Sequence, residues 1–209
     1  NNTTYTDTTG GCGGAVYGGT SRECEFIGNK SYQGGAGGCT STDTAKFYDC
    51  VFSKNTAFKI GNVGGDGGAL CGGGNAYLVV ERCSFYNNEA KNDEGGAAKY
   101  GTFTDCYFLG NKTSTSGNGG ALCNGDATRC IFDSNTAKKG GGTYNVSAYE
   151  CVYTNNVCAS TGTGIDGAGS AVYGGTIKNS LIINNKDDSS LIKRAGTVNG
   201  ATCINCTLV

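Results

Sequence analysis

The sequence predicts an all-β protein, a parallel β-helix (solenoid) of about eight coils that is uncapped at both ends. Three observations predict it: a short motif recurs along the chain, a small-residue signature accompanies almost every copy, and the composition favours turns made by glycine. The 209 residues include 38 glycines and no proline, whereas an average protein of this size carries about fifteen glycines and ten prolines. We therefore expect one repetitive domain over residues 1–209.

The recurring motif is Cys-x-aromatic-x-x-Asn, and successive copies begin 21 to 33 residues apart. A fixed motif with connections of variable length is typical of a solenoid. Stacked coils would turn the motif into three columns of like residues. The predicted cysteine ladder is Cys24, Cys50, Cys83, Cys106, Cys130, Cys151 and Cys206, with Ser180 in the remaining copy. The predicted aromatic or apolar core stack is Phe26, Phe52, Phe85, Phe108, Phe132, Tyr153, Ile182 and Leu208. The predicted asparagine ladder is Asn2, Asn29, Asn55, Asn88, Asn111, Asn135, Asn156 and Asn185.

Each motif reads as a short strand, because residues two apart share one face of a strand. A coil is too short for a βαβ unit, and no helical period is visible. A further mostly apolar position lies three residues before each motif and should also point inward. These positions are Phe47, Val80, Phe103, Ala127, Ala148, Ile177 and Cys203.

A Gly-Gly-Ala signature follows the motif after a variable polar stretch. Its copies and variants are residues 13–15, 34–36, 67–69, 95–97, 119–121, 140–142 and 169–171. Glycine pairs permit left-handed backbone and close approach between sheets. A stacked asparagine can bond both to backbone and to the asparagine of the next coil, so it satisfies groups that a turn leaves unpaired.

The combination of Phe-x-x-Asn with Gly-Gly-Ala resembles the right-handed parallel β-helix repeat proteins of bacteria, including the polymorphic outer-membrane (autotransporter adhesin) repeats of chlamydiae. The resemblance covers almost the whole chain, although the cysteine column is unusually regular for that family. It implies a right-handed, extracellular or surface-displayed solenoid with an adhesive or architectural role. Related β-helices also include polysaccharide lyases and hydrolases.

The two ends of the sequence complete one motif. Cys206, Leu208 and Val209 begin it, and reading on into Asn1 and Asn2 supplies its asparagine. These five residues form the predicted subunit junction. We expect copies to stack head to tail, a contact that propagates into a filament when it does not close. The same register would arise if the 209 residues were one period of a longer tandem chain.

Charge and residue types argue against several functions. Sixteen basic and seventeen acidic residues give no field that would hold nucleic acid, and no apolar run is long enough to insert into a membrane. The chain has no histidine, which removes the usual nucleophilic triads and histidine-ligated zinc. We expect no enzyme activity, no catalytic residue, no cofactor and no metal site. The loop carboxylates of Asp93 and Glu94, and those of Asp187 and Asp188, are a minor alternative for Ca²⁺.

The 13 cysteines favour an oxidising, extracellular or cell-surface setting. Ladder neighbours such as Cys83 and Cys106 could form disulfides or serve as small buried apolar residues; both alternatives stay open. Two asparagines in Asn-x-Ser/Thr sequons, Asn145 and Asn205, are candidate glycosylation sites. Residues that precede the ladder, from Asp49 to Glu150, should form a column of alternating charge.

These features predict a structural protein whose copies assemble head to tail into an extracellular filament or surface fibre. The alternative is an adhesin, a binding module whose loops between Asn55 and Gly67 or between Asn156 and Gly169 contact a glycan or host-surface ligand. The missing catalytic constellation makes a carbohydrate-active enzyme the weakest hypothesis.

Overall fold

A computed structural model describes residues 13–38, 44–60, 63–73, 78–91, 93–114, 116–159, 169–187 and 196–209. Every regular element in these ranges is a β-strand, and all the strand pairs but one are parallel. The strands form three long sheets that share the same coils. We call them the wide, aromatic and narrow sheets.

The wide sheet has thirteen strands and contains the segments that follow the Gly-Gly-Ala signature and those that precede the motif. Its strands are Val16–Tyr17, Gly19–Arg22, Gly37–Gly38, Ala45–Tyr48, Leu70–Cys71, Leu78–Glu81, Ala98–Lys99, Thr102–Thr104, Leu122–Thr128, Thr143–Tyr149, Val172–Lys178, Val198–Asn199 and Thr202–Ile204. Three of them, of seven residues each, run continuously through both segments.

The aromatic sheet has eight strands, one for each predicted motif. They are Glu25–Ile27, Val51–Ser53, Ser84–Tyr86, Tyr107–Leu109, Ile131–Asp133, Val152–Thr154, Leu181–Ile183 and Thr207–Leu208. Like positions pair along this sheet, so that Phe85 is in register with Phe52 on one side and Phe108 on the other. This register confirms the predicted parallel β-helix.

The narrow sheet has seven two-residue strands, each just after a ladder asparagine. They are Lys30–Ser31, Thr56–Ala57, Glu89–Ala90, Lys112–Thr113, Thr136–Ala137, Val157–Cys158 and Lys186–Asp187. An antiparallel pair, Lys59–Ile60 with Val63–Gly64, follows the strand Thr56–Ala57 in the chain.

Left-handed residues make the corners between sheets. The first glycine of each signature has a positive φ, as Gly119 shows at 67°, and this was the use expected of glycine. Two further corners were missed, because most of their residues are not glycine. The residue before each ladder cysteine or Ser180 has φ between 50° and 55°, and the residue before each described ladder asparagine has φ between 53° and 65°. Each corner redirects the chain from one sheet to the next.

The second glycine of the signature serves close packing instead. A Cβ on Gly96 would collide with the carbonyl oxygen of Gly120 in the next coil and would lie 2.6 Å from the carbonyl carbon of Lys112. The backbones of two sheets therefore meet where only glycine fits.

The core lies inside the coils and consists of the predicted columns. The positions three residues before the motif are buried from Phe47 to Ile177. Cys203 was expected to point inward as well, but it is exposed, and Leu208 of the core stack is 53% exposed. Both residues belong to the last described coil, which a neighbouring coil covers on one side only.

Candidate functional site

The asparagine ladder is a continuous chain of buried amides. The Nδ2 of Asn88 donates to Oδ1 of Asn111 at 2.9 Å, and its backbone N–H donates to the same oxygen at 3.0 Å. The second hydrogen of the Asn88 amide goes to the carbonyl of Phe52 at 3.0 Å. The pattern recurs at Asn55, Asn111, Asn135 and Asn156. Each coil is thereby bonded to both of its neighbours.

The aromatic column packs beside the asparagines. Ring centroids from Phe26 to Tyr153 are 4.7 to 5.0 Å apart, and the planes differ by 7° to 18°. Ile182 and Leu208 continue the column in the last two coils. Stacked rings at the strand spacing bury a large apolar area. The hydroxyl of Tyr153 accepts a hydrogen bond from Thr143 at 3.3 Å.

The described cysteines are thiols, so the structure does not support the disulfide alternative. In-register parallel strands hold like side chains about 4.8 Å apart, which exceeds the Cβ separation of about 3.8 Å that a disulfide needs. Each ladder sulfur instead contacts the carbonyl two residues earlier, as Cys83 does with Glu81 at 3.3 Å. Ser180, which replaces cysteine in one coil, donates the same bond to Lys178 at 2.8 Å. The column is thus a set of corner-stabilising side chains.

Burial keeps the thiols of Cys50 and Cys83 protonated. It raises the pKa of Cys83 to about 12, from an ordinary value of 9.0. The pKa of Cys50 is raised by burial as well. Such thiols carry little thiolate at neutral pH, and the thiolate is the reactive form.

The column of alternating charge forms two bidentate ion pairs. Arg82 binds Asp49 at 2.7 and 3.0 Å, and Arg129 binds Asp105 at 2.7 and 2.9 Å. The Arg82 hydrogen bond lowers the pKa of Asp49. All four side chains are well exposed, so the pairs help to fix register and contribute little to stability.

A more enclosed acidic cluster surrounds Lys99. Oxygen atoms of Asp66, Asp93 and Glu94 lie within 4.8 Å of one another, and Lys99 contacts Asp66 at 2.9 Å and Glu94 at 3.0 Å. Burial alone would lower the pKa of Lys99, but the two carboxylates outweigh it and raise that pKa. The ammonium group thus bonds to two of the three acids, and the cluster forms an ion-pair network.

The candidate glycosylation residues are both exposed. Asn145 lies on the wide sheet with φ of 51°. The side chain of Asn205 donates to Oδ1 of Asn179 at 2.8 Å. Glycosylation at either residue stays a prediction.

The predicted junction is described on one side only, since Asn1 and Asn2 lie outside the described residues. On the other side, the Nδ2 of Asn185 bonds to the carbonyls of Tyr153 and Ile183, both at 3.0 Å. Within the described ranges no further asparagine accepts from it. Val209 is 75% exposed. At this end of the described residues, Asn185 is half-buried, and Leu208 in the following coil is exposed.

Sequence reasoning missed one pair in that coil. Cys203 and Cys206 have the spacing Cys-Ile-Asn-Cys. One belongs to the inward column before the motif and the other to the cysteine ladder. The spacing itself was the available signal.

Comparison with known proteins gives one family match. The profile described as the Chlamydia polymorphic membrane protein (Chlamydia_PMP) repeat matches residues 49–73 and 105–125. Each segment holds one complete motif with its ladder asparagine and the Gly-Gly-Ala signature that follows. A search of curated proteins found no significant match.

No element in the described ranges is a helix that could cross a bilayer. The family match agrees with a location at the cell surface and with an adhesin-like protein. Together with the stacked parallel sheets, it identifies the chain as a β-helix repeat protein that resembles the polymorphic membrane protein repeats.

Proposed function

We propose that this chain is a non-enzymatic structural protein whose β-helix stacks head to tail with further copies into an extracellular filament or surface fibre. The observation that carries the proposal is the open asparagine ladder at Asn185. Inside the helix every such amide donates to the asparagine of the following coil. At Asn185 the donor turns back to Ile183 instead.

A second copy would supply the partner that this edge needs. Its opening residues continue the motif that starts at Cys206, so that Asn2 occupies the ladder position above Asn185. The Oδ1 of Asn2 would then accept from Asn185, as Asn185 accepts from Asn156 at 2.9 Å. This contact would extend the ladder without any new kind of interaction.

Apolar burial supports the same contact. Leu208 is 53% exposed, whereas the core-stack residues from Phe52 to Ile182 are fully buried. Covering a leucine side chain completely is worth about 2 kcal/mol. The strand edge at Thr207–Leu208, paired on one side with Leu181–Ile183, is a template for another strand.

The charged groups fit a structural role. The described acidic side chains of Asp49, Asp105 and Asp66 are engaged with Arg82, Arg129 and Lys99 respectively. Ion pairs between neighbouring coils help to fix the register of the strands.

Sedimentation velocity over a range of protein concentrations tests the stacking. The wild-type chain should shift to larger species as concentration rises. Leu208→Asp should stay monomeric, because stacking would bury an unpaired charge. Ile204→Asp is the matched control: Ile204 is also exposed in the last coil but lies on the outer face beside Lys178, so this variant should assemble. Equal assembly of both variants would contradict the proposed contact.

A binding role has its own supporting observation. A shallow groove on the outer face of the wide sheet crosses three coils and is lined by Asp126, Ser147, Tyr149, Thr176 and Lys178. An exposed tyrosine ring among hydroxyl and charged groups suits a glycan. The loops first considered for this role lie partly outside the described residues, at 61–62 and 160–168. Binding of immobilised glycans by wild type and its loss in Tyr149→Ala would favour this second function.

A further inference from the structure

Cys203 and Cys206 occupy two inward columns at the same corner of one coil. Cys203 is in register with Ile177 of the preceding coil, and Cys206 contacts the Ile177 carbonyl at 3.4 Å through its sulfur. In the other coils the first of these columns holds Ser, Phe, Val, Ala or Ile. Among the motif corners described, this one carries sulfur at both positions.

A single left-handed residue bends the backbone between these two cysteines. Ile204 is in a strand, and Asn205 has φ of 52°. The chain bends at Asn205, so the Cα atoms of Cys203 and Cys206 lie closer together than they would in a fully extended segment. Disulfides tolerate Cα separations of about 4.4 to 6.8 Å. This is a different geometry from the ladder, where cysteines of successive coils stand side by side.

Exposure also separates this pair from the other thiols. Cys203 is exposed and Cys206 is half-buried, whereas the ladder cysteines from Cys50 to Cys151 are at most 2% exposed. Burial and the neighbouring Cys206 thiol raise the pKa of Cys203. The reaction of that thiol should therefore accelerate as the pH becomes alkaline, because the thiolate is the nucleophile.

We propose that Cys203 and Cys206 form a reactive dithiol site that exchanges with low-molecular-weight disulfides and closes into an intramolecular disulfide. One thiolate attacks a sulfur of the reagent, which forms a mixed disulfide and releases one small thiol. The second thiolate attacks the protein sulfur of that mixed disulfide and releases the other small thiol. The two cysteines lose two electrons and two protons, and the reagent gains both as two thiols.

Equivalent positions in other coils already hold the residues that the test variants introduce. Serine already occupies the ladder position at Ser180, where its hydroxyl makes the corner bond, so Cys206→Ser should fold. Alanine occupies the other column at Ala127 and Ala148, so Cys203→Ala should fold. Cys83→Ser is the matched control at a buried ladder position.

The experiment treats the monomeric fraction of the full chain with oxidised glutathione at mildly alkaline pH, followed by alkylation, tryptic digestion and mass spectrometry. Residues 195–209 form one tryptic peptide with two cysteines and no lysine or arginine. In wild type and in Cys83→Ser this peptide should lose two hydrogen masses and resist alkylation. Cys203→Ala and Cys206→Ser should each stop at a stable glutathione adduct on the remaining cysteine.

Two results would overturn the proposal. One is a wild-type peptide that stays fully alkylatable after treatment. The other is a wild-type peptide that carries glutathione on both cysteines, which would show that the corner does not let the two sulfurs meet. Neither result depends on whether the chain stacks, since assembly is measured separately by sedimentation.

Discussion

The fold is stabilised by side chains that make the same contacts in successive coils. Asn111 is fully buried and takes part in bonds with both neighbouring coils, and Phe108 packs between two parallel rings. Both residues could be predicted from the sequence, because their residue types recur at fixed spacing. The backbone carbonyls that the cysteine sulfurs contact could not be predicted, since a carbonyl acceptor has no sequence signature.

Replacing Asn111 with alanine should destabilise the protein by about 3 kcal/mol. The change leaves the Asn88 N–H and one hydrogen of its amide without a partner in a site closed to water. Urea denaturation would measure the loss. Asn185→Ala is the control at the partly exposed end of the ladder, where water can replace the lost bonds, and it should cost less than half as much. Equal losses would argue against the ladder as a source of stability.

Alkaline pH should destabilise the protein through its buried thiols. In the unfolded chain Cys83 loses its proton near its ordinary pKa of 9.0, whereas in the folded chain its pKa is about 12. Since the unfolded state binds fewer protons in this window, stability is complete below pH 9.0 and falls between pH 9.0 and about 12. Denaturation midpoints against pH should fall less steeply for Cys83→Ser than for wild type. Parallel curves would contradict the assignment.

Corners and close approaches determine how the strands become coils. The glycine corners, such as Gly119, could be predicted because glycine tolerates positive φ. The corners at Asp49, Arg82 and Lys54 could not, since charged residues give no sign of left-handed backbone. The antiparallel pair at 59–64 was missed for a related reason: it lies in a connection whose sequence does not repeat.

Replacing glycine with alanine should destabilise the protein much more at Gly96 than at Gly19. Gly96→Ala places its Cβ against backbone atoms of Gly120 and Lys112 and should cost about 3 kcal/mol. Gly19→Ala, with φ of 75° and no atom within 4 Å of the added carbon, should cost about 1 kcal/mol for the left-handed backbone alone. Thermal or chemical unfolding of both variants would check the order. A Gly96 variant as stable as the Gly19 variant would disprove the close approach between sheets.

The whole molecule is a stack of coils. The connections differ from coil to coil, whereas the cysteine, core-stack and asparagine positions recur in each coil. The parallel register could be predicted, because one motif recurs with the same residue types facing the core. The exposure of Cys203 and Leu208 could not be read from their residue types, since it depends on what covers the last described coil. The preceding coil carries Asn185, whose amide donates to the carbonyls of Tyr153 and Ile183.

Electron microscopy of the purified 209-residue chain tests the stacking most directly. If Asn2 of one copy continues the ladder of another at Asn185, concentrated samples should contain unbranched filaments with an axial repeat of about 38 Å, the height of eight strands at their usual spacing. Separate, uniform particles at every concentration would contradict it.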